Sequence, residues 1–346
     1  CITTKIIKPL KITLLCINNS LKRTGNVMKK EIFYKYRTMN TNLIELLCYD
    51  KIFYASPATF NDPLDCQMFV LENDSSVEDL RKIYARLKYP KILQNAEREI
   101  RGPEFKKNMK LLLAEMAKSV VIDDLNNMSY HSTNPDYTCT REEAEIGILT
   151  SNIRSELRGH YSKGVSCFSK DGNNMLMWSH YGDQHKGICI GYSKNREPIP
   201  DIKQVIYGKH GTIKTSSLYH AFVEGNDAEK NIIESEILLK KNSAWKYEKE
   251  YRLISGIGLH DSPMMLEEIT FGLRCPSEVR HTIIRMLNGR EPEVKYYEMV
   301  RKLNNEKLIK QTYDDYCEWE NTFPITARSG IEIFGEFITD ESPTIT

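Results

Sequence analysis

Two glutamates one residue apart are the side chains best placed to do chemistry. In WKYEKEYRLI, residues 245–254, Glu248 and Glu250 sit in a stretch patterned as a strand. Alternation puts Glu248, Glu250 and Arg252 on one face and Lys249, Tyr251 and Leu253 on the other. Carboxylates this close repel, and each raises the other's pKa unless a cation or solvent relieves them. Arg252 is the cation at hand. The pair is either aimed at a substrate or part of a solvated face with a local ion pair, and the second arrangement is the commoner.

YKYR, residues 34–37, poses the matching question. Lys35 and Arg37 share one strand face, Tyr34 and Tyr36 the other. A cation fixed on a strand can bind phosphate or carboxylate, arginine through its planar fork. The alternative is a surface cation covering an aromatic core. GVSCFSKDGNNMLMWSHYGDQHKGICIGY, residues 164–192, is the densest polar stretch. Ser166 and Ser169 lie near a strand end, and Trp178, His180, Tyr181 and His185 follow. His180 and His185 could serve as acid, base or ligand. A histidine pair with no third ligand nearby is a weak metal signal, and packing explains it more simply. Cys167 in an interior strand is a poor nucleophile. In FNDPLDC, Asp62 and Asp65 are loop acids, with Asn61 and Asp62 favoured as turn closers before Pro63.

These residues need a frame. Strand patterning falls on 31–38, 51–57, 164–170, 187–192, 203–208, the 245–254 stretch, 266–274 and 293–300. Helical spacing falls on 41–50, with Thr41 as cap, and on 173–182, with Gly182 as a left-handed stop. Further helices are expected over about 226–243 and over 276–289, ending at Gly289. Residues 75–158 are helical with charged outer faces, punctuated by Pro90, Pro103 and Pro135. Segregated strands and helices imply an α+β class, with a mixed or antiparallel β core, a helical insertion at about 75–158 and flanking helices. Residues 28–305 are expected to form one such domain, followed by a polar, aromatic tail over 306–346. Residues 1–27 differ in character and read as a leader outside the fold, with Met28 the expected start.

The chain has 346 residues, 40% hydrophobic and 27% charged, so it can bury a sizeable core. Its net charge of +1 argues against a chain whose main task is nonspecific binding of nucleic acid or acidic membrane. Nine cysteines without a CxxC pair fit reduced thiols and a cytoplasmic location, and argue against zinc. No apolar run approaches a membrane span.

YKYR, IFYASPATFNDPLDC, VSCFS, MLMWSHYGDQHKGICIGY, WKYEKEYRLI and ITFGLRCPSE occur in an order that resembles the bacterial family called domain of unknown function 2971. The resemblance covers roughly 31–300. More distantly, a basic residue on an early strand, a serine pair, Ser166 and Ser169, on a middle strand and Glu-x-Glu on a late strand resemble the arginine–serine–glutamate layout of ADP-ribosyltransferases, whose serines are usually spaced differently. That likeness implies NAD as substrate, with no metal. Arg37 would hold an NAD phosphate or ribose, Ser166 and Ser169 would brace the site, and Tyr34, Tyr36 or Tyr181 would stack on nicotinamide, with His185 as an accessory. Glu250 would bond the ribose 2′-hydroxyl, and Glu248 would orient a protein or nucleic-acid acceptor. Loss of nicotinamide builds positive charge on the ribose, which a fixed carboxylate stabilises. The resemblance thus implies an ADP-ribosyltransferase or NAD glycohydrolase, as a bacterial toxin or phage-defence effector. The alternatives are a noncatalytic interaction module and a nuclease using His180, His185 and nearby acids.

Overall fold

The computed structural model describes residues 30–66, 69–99, 107–302 and 307–313. The leader expected at 1–27, and the expected tail apart from 307–313, lie outside the described residues. The chain divides into a unit of residues 1–31, in which Lys30 and Glu31 lack regular structure, and a main unit of residues 32–346.

The main unit is α+β and is built on an eight-stranded mixed sheet. Its strands are β1 (Ile32–Arg37), β4 (Gly164–Ser169), β5 (Ile188–Ser193), β6 (Lys203–Gln204), β10 (Glu250–Ser255), β12 (Met265–Phe271), β13 (Lys295–Arg301) and β14 (Leu308–Thr312). The spatial order is β14-β13-β12-β5-β1-β4-β10-β6. Neighbours run antiparallel except β12 and β13, which are parallel and joined through a helix, α8 (Ser277–Leu287). Short pairs flank the sheet: β2 (Lys51–Tyr54) with β11 (Gly258–Asp261), β3 (Phe69–Glu72) with β8 (Gly211–Lys214), and β7 (Ile206–Gly208) with β9 (Lys240–Asn242).

One seam in the sheet is nearly unzipped. β1 pairs with β5 over six residues, from Ile32↔Ser193 to Arg37↔Ile188. β4 pairs with β10 over six, from Glu250↔Ser169 to Ser255↔Gly164. Between β1 and β4 the single register pair is Tyr34↔Ser169. Beyond it the strands part, so backbone groups that a continuous ladder would satisfy face a gap.

Three apolar clusters hold this arrangement. Under one sheet face, Phe33, Ile188, Ile190, Ile269 and Phe271 meet Leu43 and Leu47 of α1 (Thr41–Cys48) and Ile283, Ile284 and Leu287 of α8. Each fully buried side chain of this size contributes roughly 1.5–3 kcal/mol. On the other face, Tyr36, Cys189 and Met299 pack against Met177 and Trp178 of α5 (Met175–His180). The third cluster belongs to the insertion. Leu80, Ile83, Tyr84 and Leu87 of α2 (Val77–Glu99) and Leu149, Ile153 and Leu157 of α4 (Arg141–His160) are joined by Met128 of α3 (Lys107–His131). Leu218 of α6 (Thr215–Leu218), and Ile233 and Ile237 of α7 (Asp227–Leu238), complete it. Thr140 and Glu143 close a capping box at the start of α4.

Several local expectations are corrected. α1 is capped by Asn40, whose side chain accepts from Leu43 N, so Thr41 is its first helical residue. α2 runs through Pro90, because four buried side chains before it anchor the helix against the insertion's core. The helix expected over 226–243 stops at Leu238, and Lys240–Asn242 pairs as β9. Gly182 is not a left-handed stop. A Cβ there would lie 2.7 Å from the Trp178 ring, and the left-handed residues are Asp183, Gln184 and His185. Gly289 does adopt φ +77 after α8.

Candidate active site

The cavity opens at the split between β1 and β4. Its volume is about 330 Å³, near the low end for small-molecule sites. Tyr34, Lys35, Tyr36 and Arg37 of β1, Cys167 and Ser169 of β4, and Tyr181 line it together with Asn61, Asp65, Lys241, Glu248 and Glu250. Of the sequence-predicted site residues, Arg37, Tyr36, Ser169, Tyr181, Glu248 and Glu250 meet here. His185 is not among the lining residues, and neither is His180.

Glu248 reaches the cavity by a route the strand pattern did not foresee. Residues 243–248 form a 3-10 turn, Lys249 takes a left-handed φ of 46, and the strand begins at Glu250. Glu250 and Arg252 do share a strand face, but Glu248 is swung in from the turn. Ser169 fixes that turn, its Oγ donating to Glu248 O at 2.6 Å and accepting from Asp171 N at 3.0 Å. Asn174, the cap of α5, donates to Tyr247 O at 2.9 Å, so α5 and the turn are held as one piece. Tyr181, just past α5, thereby places its hydroxyl on Glu248 Oε1 at 2.8 Å and accepts from Asn61 Nδ2 at 2.9 Å. Asn61, expected to close a turn, buttresses the site instead; Asp62 keeps its turn role by accepting from Leu64 N.

The two carboxylates are buried, each 3% exposed. Lys241 Nζ donates to Glu248 Oε2 at 2.6 Å and to Glu250 Oε2 at 2.8 Å, and lies 3.4 Å from Asp65 Oδ2. Arg252 donates to Glu250 Oε1 at 2.8 Å, Asp65 Oδ2 at 2.7 Å and Leu238 O at 2.7 Å. Three carboxylates thus share two cations, leaving a formal charge of −1 inside the cluster. Burial alone would raise Glu250, but Arg252 and then Lys241 outweigh it and pull its pKa down to about 2. Glu248 moves the other way: burial raises it, and Glu250 adds to that against the pull of Lys241. One carboxylate is held ionised and its neighbour is inclined to keep a proton.

Among the described residues, Lys35 and Arg37 on the β1 side have no carboxylate within hydrogen-bond reach. Lys35 Nζ bonds Ser166 Oγ at 2.9 Å and Cys167 O at 2.8 Å, capping a carbonyl left open by the split. Burial, helped by Arg37, brings its pKa down to about 7. Arg37 Nε is buried without a hydrogen-bond partner, and burial lowers its pKa. Such a pair can receive an anion. Tyr36 lines the cavity with its hydroxyl committed to Asp171 O at 2.6 Å and its ring edge-on to Trp178. Ser166 is buried and serves to hold Lys35 rather than bracing the cavity directly. Cys167 is no thiolate: burial, then Glu250, raises its pKa well above the usual thiol range.

His185, the expected accessory, lies outside the cavity lining. Its ring stacks on Trp178 at 6.3 Å between centroids, and its carbonyl accepts from Arg274 N at 2.9 Å. A left-handed backbone ties it to the loop, and Gly272 lets that carbonyl approach closely. Reasoning from sequence missed Lys241, seven residues before Glu248, because its stretch was read as a helix end. Among the described residues no group of three His, Cys, Asp or Glu is placed to hold a metal ion, and no helix is long and apolar enough to cross a membrane.

No curated protein and no solved structure gives a significant match to the chain. Residues 177–253, the segment that carries Tyr181, Lys241, Glu248, Glu250 and Arg252, match the family described as Protein of unknown function (DUF2971).

Proposed function

We propose that this cavity is the donor site of an NAD-consuming ADP-ribosyltransferase or glycohydrolase. The observation that carries the reading is convergence. A strand-borne arginine, a serine fixing a turn and a glutamate pair, distant in sequence, line one small cavity at a split in the sheet. In this reading Arg37 takes a phosphate or ribose oxygen, and Tyr34 or Tyr181 flanks the nicotinamide. Ionised Glu250 supplies fixed negative charge as the ribose turns cationic. Glu248, whose raised pKa makes its carboxylate the stronger base of the two, accepts in its ionised form the proton that the attacking group loses. The volume suits the nicotinamide–ribose end, with the remainder of the dinucleotide extending outward. The role belongs to a bacterial toxin or defence effector acting in the cytoplasm on a protein or nucleic-acid acceptor.

The test is nicotinamide release from NAD by pure protein. Glu250→Gln and Glu248→Gln should each lower it by about 100-fold or more, and Arg37→Ala should raise KM. Turnover untouched in both glutamine variants, with their folds confirmed by thermal melting, would remove the assignment.

One observation favours a second reading, a noncatalytic interaction module. Both carboxylates are already satisfied by Lys241, Arg252 and Tyr181, as in a structural ion network. Leu111, Leu112, Met116, Val120 and Ile122 of α3 are exposed and offer a surface to a partner. That reading requires no NAD turnover and a large stability loss on changing buried Trp178.

A further inference from the structure

Two lysines line the same cavity, and their surroundings give them opposite chemistry. Lys241 is 8% exposed and sits among Asp65, Glu248 and Glu250, all within 3.4 Å of its Nζ. Those carboxylates outweigh burial and keep it an ammonium. Lys35 is half-buried and has no carboxylate partner. Its Nζ touches two oxygens, Ser166 Oγ at 2.9 Å and Cys167 O at 2.8 Å, and lies 4.7 Å from the centre of the Phe168 ring. Among the described residues an ammonium there has a third hydrogen with no oxygen to accept it and only the Phe168 ring nearby. A neutral amine gives its two hydrogens to the same two oxygens and keeps a lone pair in the remaining direction. Burial and the neighbouring Arg37 favour that neutral form near pH 7. Arg37, two residues along the same strand face, lines the cavity with its buried Nε unpaired.

We propose that Lys35 is a nucleophilic amine that condenses with an aldehyde carrying a phosphate group, Arg37 holding the phosphate. The Nζ lone pair attacks the carbonyl carbon. A proton passes from nitrogen to the carbonyl oxygen, and that oxygen leaves as water with a second proton as the C=N bond forms. No oxidant or reductant enters. Oriented binding of the phosphate raises the local concentration of carbonyl at the amine. Ser166 Oγ and Cys167 O act as positioning groups, since both fix the direction of Nζ. The inference requires no NAD chemistry and stands whether or not nicotinamide is released.

The experiment uses the full chain with pyridoxal 5′-phosphate as probe, reduced with borohydride and mapped by peptide mass. Lys35 should carry the adduct at about 10-fold or more above any other lysine at pH 7.5, since a lysine amine in water is almost wholly protonated there. Its labelling should rise with a midpoint near pH 7. Arg37→Gln, or pyridoxal lacking the phosphate, should slow it by about 10-fold. Lys35→Met should abolish this adduct while far-ultraviolet circular dichroism stays as in the parent and thermal melting is not lowered. Adducts spread over other lysines with Lys35 unlabelled, or a midpoint near that of an ordinary lysine, would overturn the amine. Labelling at Lys35 indifferent to both Arg37 and the probe's phosphate would overturn the anion subsite.

Discussion

The two walls of the cavity carry charge in contrasting ways. The β10 wall gathers Asp65, Glu248 and Glu250 around Lys241 and Arg252, and its charges are paired within hydrogen-bond reach. The β1 wall carries Lys35 and Arg37, which among the described residues bond no carboxylate. Charges paired in a buried network are held in place, and their protonation states are set by neighbours that do not move. Unpaired cations at a cavity are destabilised by desolvation and gain by meeting an anion. The first wall therefore behaves as fixed electrostatics and the second as a receptor. The seam between β1 and β4 keeps the two from neutralising each other. If those strands were zipped along their length, no cavity would separate the cations from the carboxylates.

The contrast breaks most forcefully at Arg252. Arg252→Met leaves Asp65 and Glu250 buried with one cation fewer, and should cost about 3–5 kcal/mol in denaturant unfolding. A cost below about 1 kcal/mol would mean that the β10 wall is not a coupled network. On the other wall the sign reverses. Lys35→Met should stabilise the protein by a few kcal/mol, on the order of its desolvation, at pH 6. Below pH 7 both folded and unfolded states hold the Lys35 proton, so the penalty is complete. It fades as pH climbs from about 7 to the ordinary lysine value of 10.5, and the gain in the variant should vanish there. A gain that is flat across this range would place the effect in packing.

Acid titration sharpens the picture for Glu250. Its folded pKa is depressed from 4.5 to about 2. Its contribution, roughly 3 kcal/mol, is therefore complete above pH 4.5 and lost as pH falls through about 2. Glu250→Gln should flatten that part of the stability–pH curve, read from urea midpoints at successive pH values. Glu248 opposes it, because its raised pKa makes its ionised form a cost above the usual carboxylate range. The smallest effect belongs to Tyr181→Phe. Losing the bond to Glu248 should cost about 1 kcal/mol and raise the Glu248 titration further, observable in its infrared carboxyl band.

Much of the frame was legible because it depends on periodicity. The strands holding YKYR and GVSCFS alternate or run apolar, and the helical insertion shows its buried Leu80, Ile83, Tyr84 and Leu87 at helical spacing. The short pairs β3–β8 and β7–β9 were not legible as pairs, since three- and four-residue strands carry no period of their own. Of the site, Arg37, Ser169, Glu248 and Glu250 were named from residue type and order. Lys241 and Asp65 were not recognised as counter-ions, because β9 and the loop after β2 meet β10 by tertiary packing. His185 shows the converse, since residue type and order do not reveal that its ring stacks on Trp178 outside the cavity lining.

By itself the sequence determined an α+β chain with a helical insertion, a cationic early strand and two neighbouring glutamates late in the chain, the second of them on a strand. Hydrophobic period and turn chemistry act over a few residues and survive in one dimension. Only the tertiary structure decided that β1 and β4 separate after a single register pair, that Lys241 and Arg252 bind the carboxylates, and that Lys35 and Arg37 are left without them. Pairing of charges depends on which elements touch, and desolvation depends on what covers them. Neither distance nor burial is a property of residue order.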